Sequence, residues 1–264
     1  MQKKNLMPTG IFSKLVFYLI LILLWEFVYR LGVEWLGIWK PYTFPSPISV
    51  WQSLIHLINQ NILPIAIAVS IKRIVIGYSI SLLIGSSLGI LVASFKVLSK
   101  HLSPLILGLQ TLPNICWLPF AILWFGLSEA SITFVIAIGS TFAIAMSIES
   151  GIKNVNPLFI RAAKTMGANK IQLTRQVILP SALPQILSGL KQAWSFAWRA
   201  LMAGEMLTAT KGLGQVLMWG RDLSDISQVM AVMVVIILLG LVVDKFIFSN
   251  IENRVRRKWG LSTN

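Results

Sequence analysis

Cysteine occurs once in 264 residues, at Cys116 within "LPNICWLPF". A single thiol excludes an intramolecular disulfide, and its simplest role is that of a small buried apolar residue. Histidine is almost as scarce, with only His56 and His101, and the nine acidic residues are scattered along the chain. An enzyme needs convergent groups, and here there is no metal-ligand spacing, no nucleophile elbow and no GxxxxGK[ST] phosphate loop. No catalytic residue and no metal ligand is therefore assigned, and any ATP must be bound by another chain. Low-complexity stretches and short internal repeats are also missing, so 1–264 reads as one domain. The first apolar run, 15–33, is too long for a cleaved signal peptide and lacks a small-residue cleavage site; it reads as an uncleaved anchor.

What is present is apolar. Hydrophobic residues make up 56% of the chain and charged ones 12%, which marks an integral membrane protein. Spanning about 30 Å of hydrocarbon takes roughly 20 helical residues. Six segments meet that length, near 15–33, 74–95, 103–124, 130–148, 185–206 and 228–249. No alternating barrel pattern accompanies them, so the fold class is all-α. Pro104, Pro113 and Pro119 predict kinks or a break in the third span.

The net charge of +14 sits at the ends of apolar runs, without the interleaved aromatics that stack on bases. That pattern fits membrane orientation and anionic lipid, not nucleic acid. With the N terminus inside, one face collects Lys3, Lys4, Lys14, Lys96, Lys100, Lys153 and the basic residues of 161–175 and 245–258. The other keeps Arg30, Lys40, Lys72, Arg73, Lys211 and Arg221. The positive-inside rule then places both termini in the cytoplasm. Lys72 and Arg73 fit least well, because they stand where the second span should enter from outside. The tail "NRVRRKWG" reads as an orientation signal and lipid anchor.

Within the outer segment 34–63, Ser46-Pro47 predicts a helix start. Ile48, Trp51, Leu54, Ile55 and Ile58 then share one face, suited to lying along the outer interface. His56 in that stretch is an ordinary interfacial residue. Inside the spans, Glu26 and Arg30 are placed to pair locally. Gly85-Ser-Ser-Leu-Gly89 reads as a tight helix-packing motif. The fifth span carries Lys191, Arg199 and Glu205 beside a small-residue stripe of Ala193, Ala197, Ala200 and Gly204. Intramembrane charge is costly and marks function or pairing. Two readings stay open for Arg199: contact with a passing anion, or a structural ion pair with Glu205 or another helix's carboxylate. Trp198 and its neighbour Trp194 line a gate or simply pack.

The most polar internal stretch is 149–182. "PLFIRAAKTMG" opens at Pro157 and closes at Gly167, and a second short helix, "NKIQLTRQVIL", is expected to stop at Pro180. Small Ala162 and Ala163 let another surface approach the backbone. A solvated basic loop on anionic lipid would explain the charge but not the spacing.

That spacing resembles the "EAA" loop of bacterial binding-protein-dependent ABC importer permeases: Glu-Ala-Ala, three residues, Gly, nine residues, then Ile-x-Leu-Pro. Ala162, Ala163, Gly167, Leu179 and Pro180 match, while Arg161 stands where the family has Glu. "FPSP", "LPNICWLPFAILWFG" and "GEML" look like the branch that includes sulfonate, taurine and nitrate permeases. The resemblance covers nearly the whole chain. It implies a type I importer permease fold of about six transmembrane helices in the bacterial cytoplasmic membrane. It further implies a coupling loop that docks on a cytosolic ATPase dimer, with ATP and Mg on that partner and no cofactor on this chain. An extracytoplasmic substrate-binding protein and a second permease copy, in a homodimer, complete the expected assembly. An ion-coupled secondary transporter is the competing class; it calls for inverted repeats and acidic relays, which the chain does not clearly show.

Overall fold

The computed structural model describes residues 9–40 and 42–258, and every regular element among them is helical. Lys3 and Lys4 of the orientation argument and Trp259 and Gly260 of the tail lie outside the described residues, as do the side chains of Arg256 and Lys258. Two compact units divide the chain: Met1–Pro64 with Val216–Val235, and Ile65–Gln215 with Ile236–Asn264.

In the first unit, α1 (Thr9–Tyr29) widens into a π turn at Arg30–Trp35. Glu26 and Arg30 form the expected local pair at 2.7 Å. Helix α2 (Pro47–Asn59) starts where Ser46-Pro47 predicts, with the Ser46 hydroxyl accepting from Ser49 N. Its Ile48, Trp51, Ile55 and Ile58 are exposed on the chain while Val50 and Leu57 are buried. Trp25 Nε1 donates to Pro45 O at 3.1 Å, tying α1 to the approach to α2.

The second unit holds most of α3 (Ile62–Ser94), then α4 (Lys96–Thr111), α5 (Leu118–Phe125) and α6 (Glu129–Lys153). After these come α7 (Pro157–Thr165), α8 (Lys170–Gln172) and α9 (Leu179–Thr208). Helices α10 (Leu213–Asp222) and α11 (Ile226–Val243) belong partly to each unit, and α12 (Ser249–Lys258) follows a π turn at Asp244–Phe248.

Of the six expected spans, four are helices long and apolar enough to cross a membrane: Phe12–Trp35, Ile62–Ser94, Glu129–Lys153 and Ile226–Val255. The third is broken, as its prolines require. Helix α4 and the stretch Asn114–Phe125 meet at a bend of 98°, and Leu112, just before Pro113, is extended at ψ 128°. The fifth, α9, has 30 residues, or about 45 Å by the helical rise, but too polar a composition to join the four. Two expectations need correction. The second span begins at Ile62, not near 74, so Lys72 and Arg73 lie inside a helix. Cys116 is exposed on the chain, at the short turn that bridges the break.

Helix α6 is the axis of this unit, with Ile132, Val135, Ile136 and Ile144 buried against α3 and α9. Glycine makes the approach to α3 possible. A Cβ on Gly85 would stand 2.7 Å from Thr141 O and 2.9 Å from Ile144 Cβ, and one on Gly89 would stand 2.7 Å from Ala145 O. Gly85→Leu is therefore expected to force the helices apart at a cost of about 1–3 kcal/mol. Ser87→Leu, on the exposed face of the same turn, should leave the thermal midpoint of the purified chain unchanged. On α9, Ala193, Ala197 and Ala200 are fully buried and Gly204 fits against Ile132, as their helical spacing predicts.

Candidate functional site

Three groups of polar residues interrupt these apolar helices. The first is the elbow between α6 and α9. Asn156 caps α7, its side chain accepting from Leu158 N at 2.9 Å. At the other end Ala168 N donates to Ala163 O and Gly167 N to Lys164 O, both at 3.0 Å. These are the paired bonds of a left-handed helix stop, and Gly167 supplies the required positive φ of 85°. Asn169 and Gln172 then cap α8 reciprocally, each side chain accepting from the other's backbone at 2.9 Å.

The expected stop at Pro180 does not occur: the chain stays helical from Lys170 to Thr208. A proline inside a helix lacks its N–H and crowds the carbonyl four residues back. The π turn at Leu173–Ile178, immediately upstream, supplies the wider spacing that absorbs it. The elbow is thus one short helix, α7, folded against the end of a long rod. Ala163 is buried in that fold, while Arg161, Ala162, Lys164, Met166 and Gly167 are exposed. Leu158, Phe159, Met166 and Ile171 form an exposed apolar surface on the same elbow. Just before it, buried Glu149 accepts from Ser103 at 2.5 Å and Ser99 at 3.2 Å and pairs with Lys153 at 2.5 Å, pinning α6 to α4.

The second group surrounds Glu205, which is completely buried. Its carboxylate accepts from the Ser70 hydroxyl at 2.8 Å, from Arg73 Nη1 at 3.0 Å and from Gly214 N at 2.9 Å. Arg73 also donates to Lys211 O at 2.6 Å and to Glu129 Oε1 at 3.2 Å. Ser70 accepts in turn from Leu213 N at 2.9 Å. The segment "KGLGQ" wraps this carboxylate closely enough that side chains at positions 212 and 214 would collide with Glu205. Glu205 therefore joins α3, α6, α9 and α10, and its guanidinium partner is Arg73, not Arg199. The misfit of Lys72 and Arg73 in the apolar run was the signal for this node, but its buried carboxylate, Glu205, lies 132 positions away.

The third group follows one face of α9. Gln185, Ser188, Gln192, Ser195 and Arg199 are all exposed at alternating spacings of three and four residues, a polar lane backed by the buried small-residue stripe. Arg199 closes the lane. No carboxylate lies within ion-pair distance of it among the described residues. Its guanidinium stands 4.8 Å from the Phe196 ring centre, and its Nε donates to Ser195 O. It lines a cleft of about 350 Å³ with Gln110, Thr111, Asn114, Phe196 and Gly139. Asn114 donates to Phe196 O at 3.1 Å, and the missing side chain at Gly139 leaves it room. Arg199, Trp198 and Glu205 do not converge: Trp198 faces a different pocket, beside Lys191, and Glu205 is enclosed in its node.

Comparison with known proteins shows the family and the fold. Residues 81–257 match the model of the binding-protein-dependent transport system inner membrane component family. A putative ABC transporter permease of Methanocaldococcus jannaschii is 34% identical over 211 residues, 78% of this chain and 79% of that one. A putative aliphatic sulfonates transport permease of Bacillus subtilis is 28% identical over 240 residues, 91% and 84% of the two chains. Other relatives are named for taurine, nitrate and formylaminopyrimidine transport. Among solved structures, an amino acid ABC transporter shares the fold with a TM-score of 0.64 at 18% identity, over 76% of this chain and 97% of that one. The chain is not an enzyme but a membrane-embedded, multi-pass permease subunit, and it belongs to the family of inner-membrane components of binding-protein-dependent transport systems.

Proposed function

We propose that α9 lines the translocation pathway of an ATP-driven importer and that Arg199 meets a small oxyanion there, with an aliphatic sulfonate first among the candidates. The observation that carries this reading is the exposed polar lane ending at an arginine without a carboxylate partner. Lipid cannot solvate such a lane, so it belongs against water or solute. A guanidinium beside Asn114 and Thr111 offers several donors to the oxygens of a sulfonate, and its planar fork suits them. Nitrate, bicarbonate, cyanate and the sulfonate end of taurine offer the same anionic chemistry, and thiamine-precursor import is the remaining alternative. An ion-coupled secondary transporter is disfavoured, because Glu205, the acid nearest to the lane on α9, is sealed in an ion pair.

The rest of the assembly follows from the elbow. Its exposed apolar residues and flanking cations suit a protein surface, and a cytosolic ATPase dimer, carrying ATP and Mg, is the partner we assign. Arg161, Ala162, Ala163 and Gly167 shape the contact, and Leu179 and Pro180 lie on the rod behind it. Movement of the elbow then reaches Arg199 through the helical rod Lys170–Thr208, against whose end α7 is folded. Both termini and the elbow lie in the cytosol, two copies of the chain form a homodimer, and a substrate-binding protein docks outside on 34–63 and 207–227. Pathway affinity alternates between two states of this assembly.

Arg199→Gln tests the pathway reading. Uptake of radiolabelled ethanesulfonate should fall to background while the ATPase still co-purifies with the chain. Wild-type uptake by the Gln variant would refute it, and loss of assembly would assign Arg199 a structural role instead.

A further inference from the structure

A pocket on the adjacent face of α9, which shares only Ser195 with the polar lane, is not part of this reading. It has a volume of about 340 Å³ and is lined by Lys191, Trp194, Ser195, Trp198, Gly240, Asp244 and two apolar side chains. Lys191 Nζ and Asp244 Oδ1 lie 2.5 Å apart, with about 40% of each side chain still exposed (44% and 38%). Among the described residues, five buried polar side-chain atoms lack a hydrogen-bond partner. Three of the five belong to this one pocket's lining: Trp194 Nε1, Trp198 Nε1 and Asp244 Oδ1. The carboxylate is thus close to the ammonium without receiving a well-directed hydrogen bond.

The depth of the pocket in the membrane follows from the sequence. Ile226–Val243 contains no charge; its 18 residues rise about 27 Å, close to the hydrocarbon thickness. Asp244 is the first charge beyond it, so the pocket opens at the level of lipid head groups. Tryptophan and lysine are suited to that level.

The geometry points to a site for the head group of a zwitterionic phospholipid, one carrying a primary ammonium beside a phosphate. Charge balance selects this class. Lys191 and Asp244 already compensate each other; an anion alone would draw Lys191 away from Asp244, and a cation alone would draw Asp244 away from Lys191, so either leaves one charge of the pair without its counter-ion. A ligand with both signs satisfies both residues, its phosphate oxygens at Lys191 and Ser195 and its ammonium at Asp244. The apolar lining then takes the start of the acyl chains. The wall has room for this at Gly240, where a Cβ would meet nothing within 4 Å. The π turn that starts at Asp244 widens the backbone at the same point.

Native mass spectrometry of the full chain in detergent tests the site. After extensive washing, wild type should retain one phosphatidylethanolamine per chain and no phosphatidylglycerol. Gly240→Leu fills the pocket without touching either charge, and Lys191→Gln with Asp244→Asn removes both charges together. Each should lose that lipid. If the double variant fails to fold, Gly240→Leu still decides. Protection of the chain by soluble O-phosphoethanolamine, with no retained lipid, would support the same chemistry with a free zwitterion as its source. Retention of phosphatidylglycerol as tight as that of phosphatidylethanolamine, retention unaffected by Gly240→Leu, or binding of neither probe would overturn the assignment.

Discussion

Glu205→Ala is expected to destabilise the chain by about 3–5 kcal/mol, the usual cost of stranding one partner of a buried ion pair. Arg73 is enclosed, with 4% of its side chain exposed. Its other carboxylate, Glu129, is 65% exposed and screened by solvent, so it cannot replace Glu205. The alanine also orphans Gly214 N and leaves a void inside the "KGLGQ" wrap. In thermal unfolding of the purified chain the midpoint should fall by on the order of 10 °C. Glu205→Gln, whose one amide oxygen can accept from Ser70 and Gly214 as Oε2 does but which loses the charge and the second acceptor, should fall between wild type and alanine. Glu129→Gln should cost less than about 1 kcal/mol. An alanine variant no less stable than Glu129→Gln would show that the node does not hold the helices together.

The second large effect concerns the elbow. Gly167→Val should reduce uptake by about tenfold while the thermal midpoint stays near wild type. At φ 85° a β-branched residue is strained by roughly 1–2 kcal/mol. No atom lies within 4 Å of the added Cβ, so the penalty is purely that of the backbone. The chain can relieve it by opening the turn. With the elbow docking on an ATPase as proposed, the fraction of elbows shaped for that contact then falls about tenfold, and apparent affinity falls with it. Gly167→Asn should retain most activity, because asparagine tolerates the left-handed region. Equal uptake by the two variants would mean that the shape of this turn is not what the partner reads. Crosslinking from exposed Ala162 or Met166 would identify the surface it meets.

How much of this was legible beforehand varied with the range of the interaction. The elbow could be read residue by residue because its signals are local. A proline at the first turn and a glycine after the last both act within a few residues of themselves. The glycine and alanine stripes were equally legible, since helical spacing alone puts them on one face. Pro180 misled, because a helix stop and an absorbed proline have the same sequence; the π turn that decides between them depends on how the rod is packed. Arg73 misled for a related reason. In isolation an arginine ends an apolar run, and only a carboxylate contributed from 132 positions further on allows it inside one.

Composition and short-range pattern by themselves determined that the chain is built of membrane helices interrupted by a polar elbow, because desolvation cost and backbone caps are properties of segments. Tertiary structure alone decided which charges are structural and which are available. It enclosed Glu205 with Arg73, set Lys191 against Asp244 and, among the described residues, left Arg199 without a carboxylate. Charge pairing depends on distance in space, and in this fold residues far apart in the chain become neighbours.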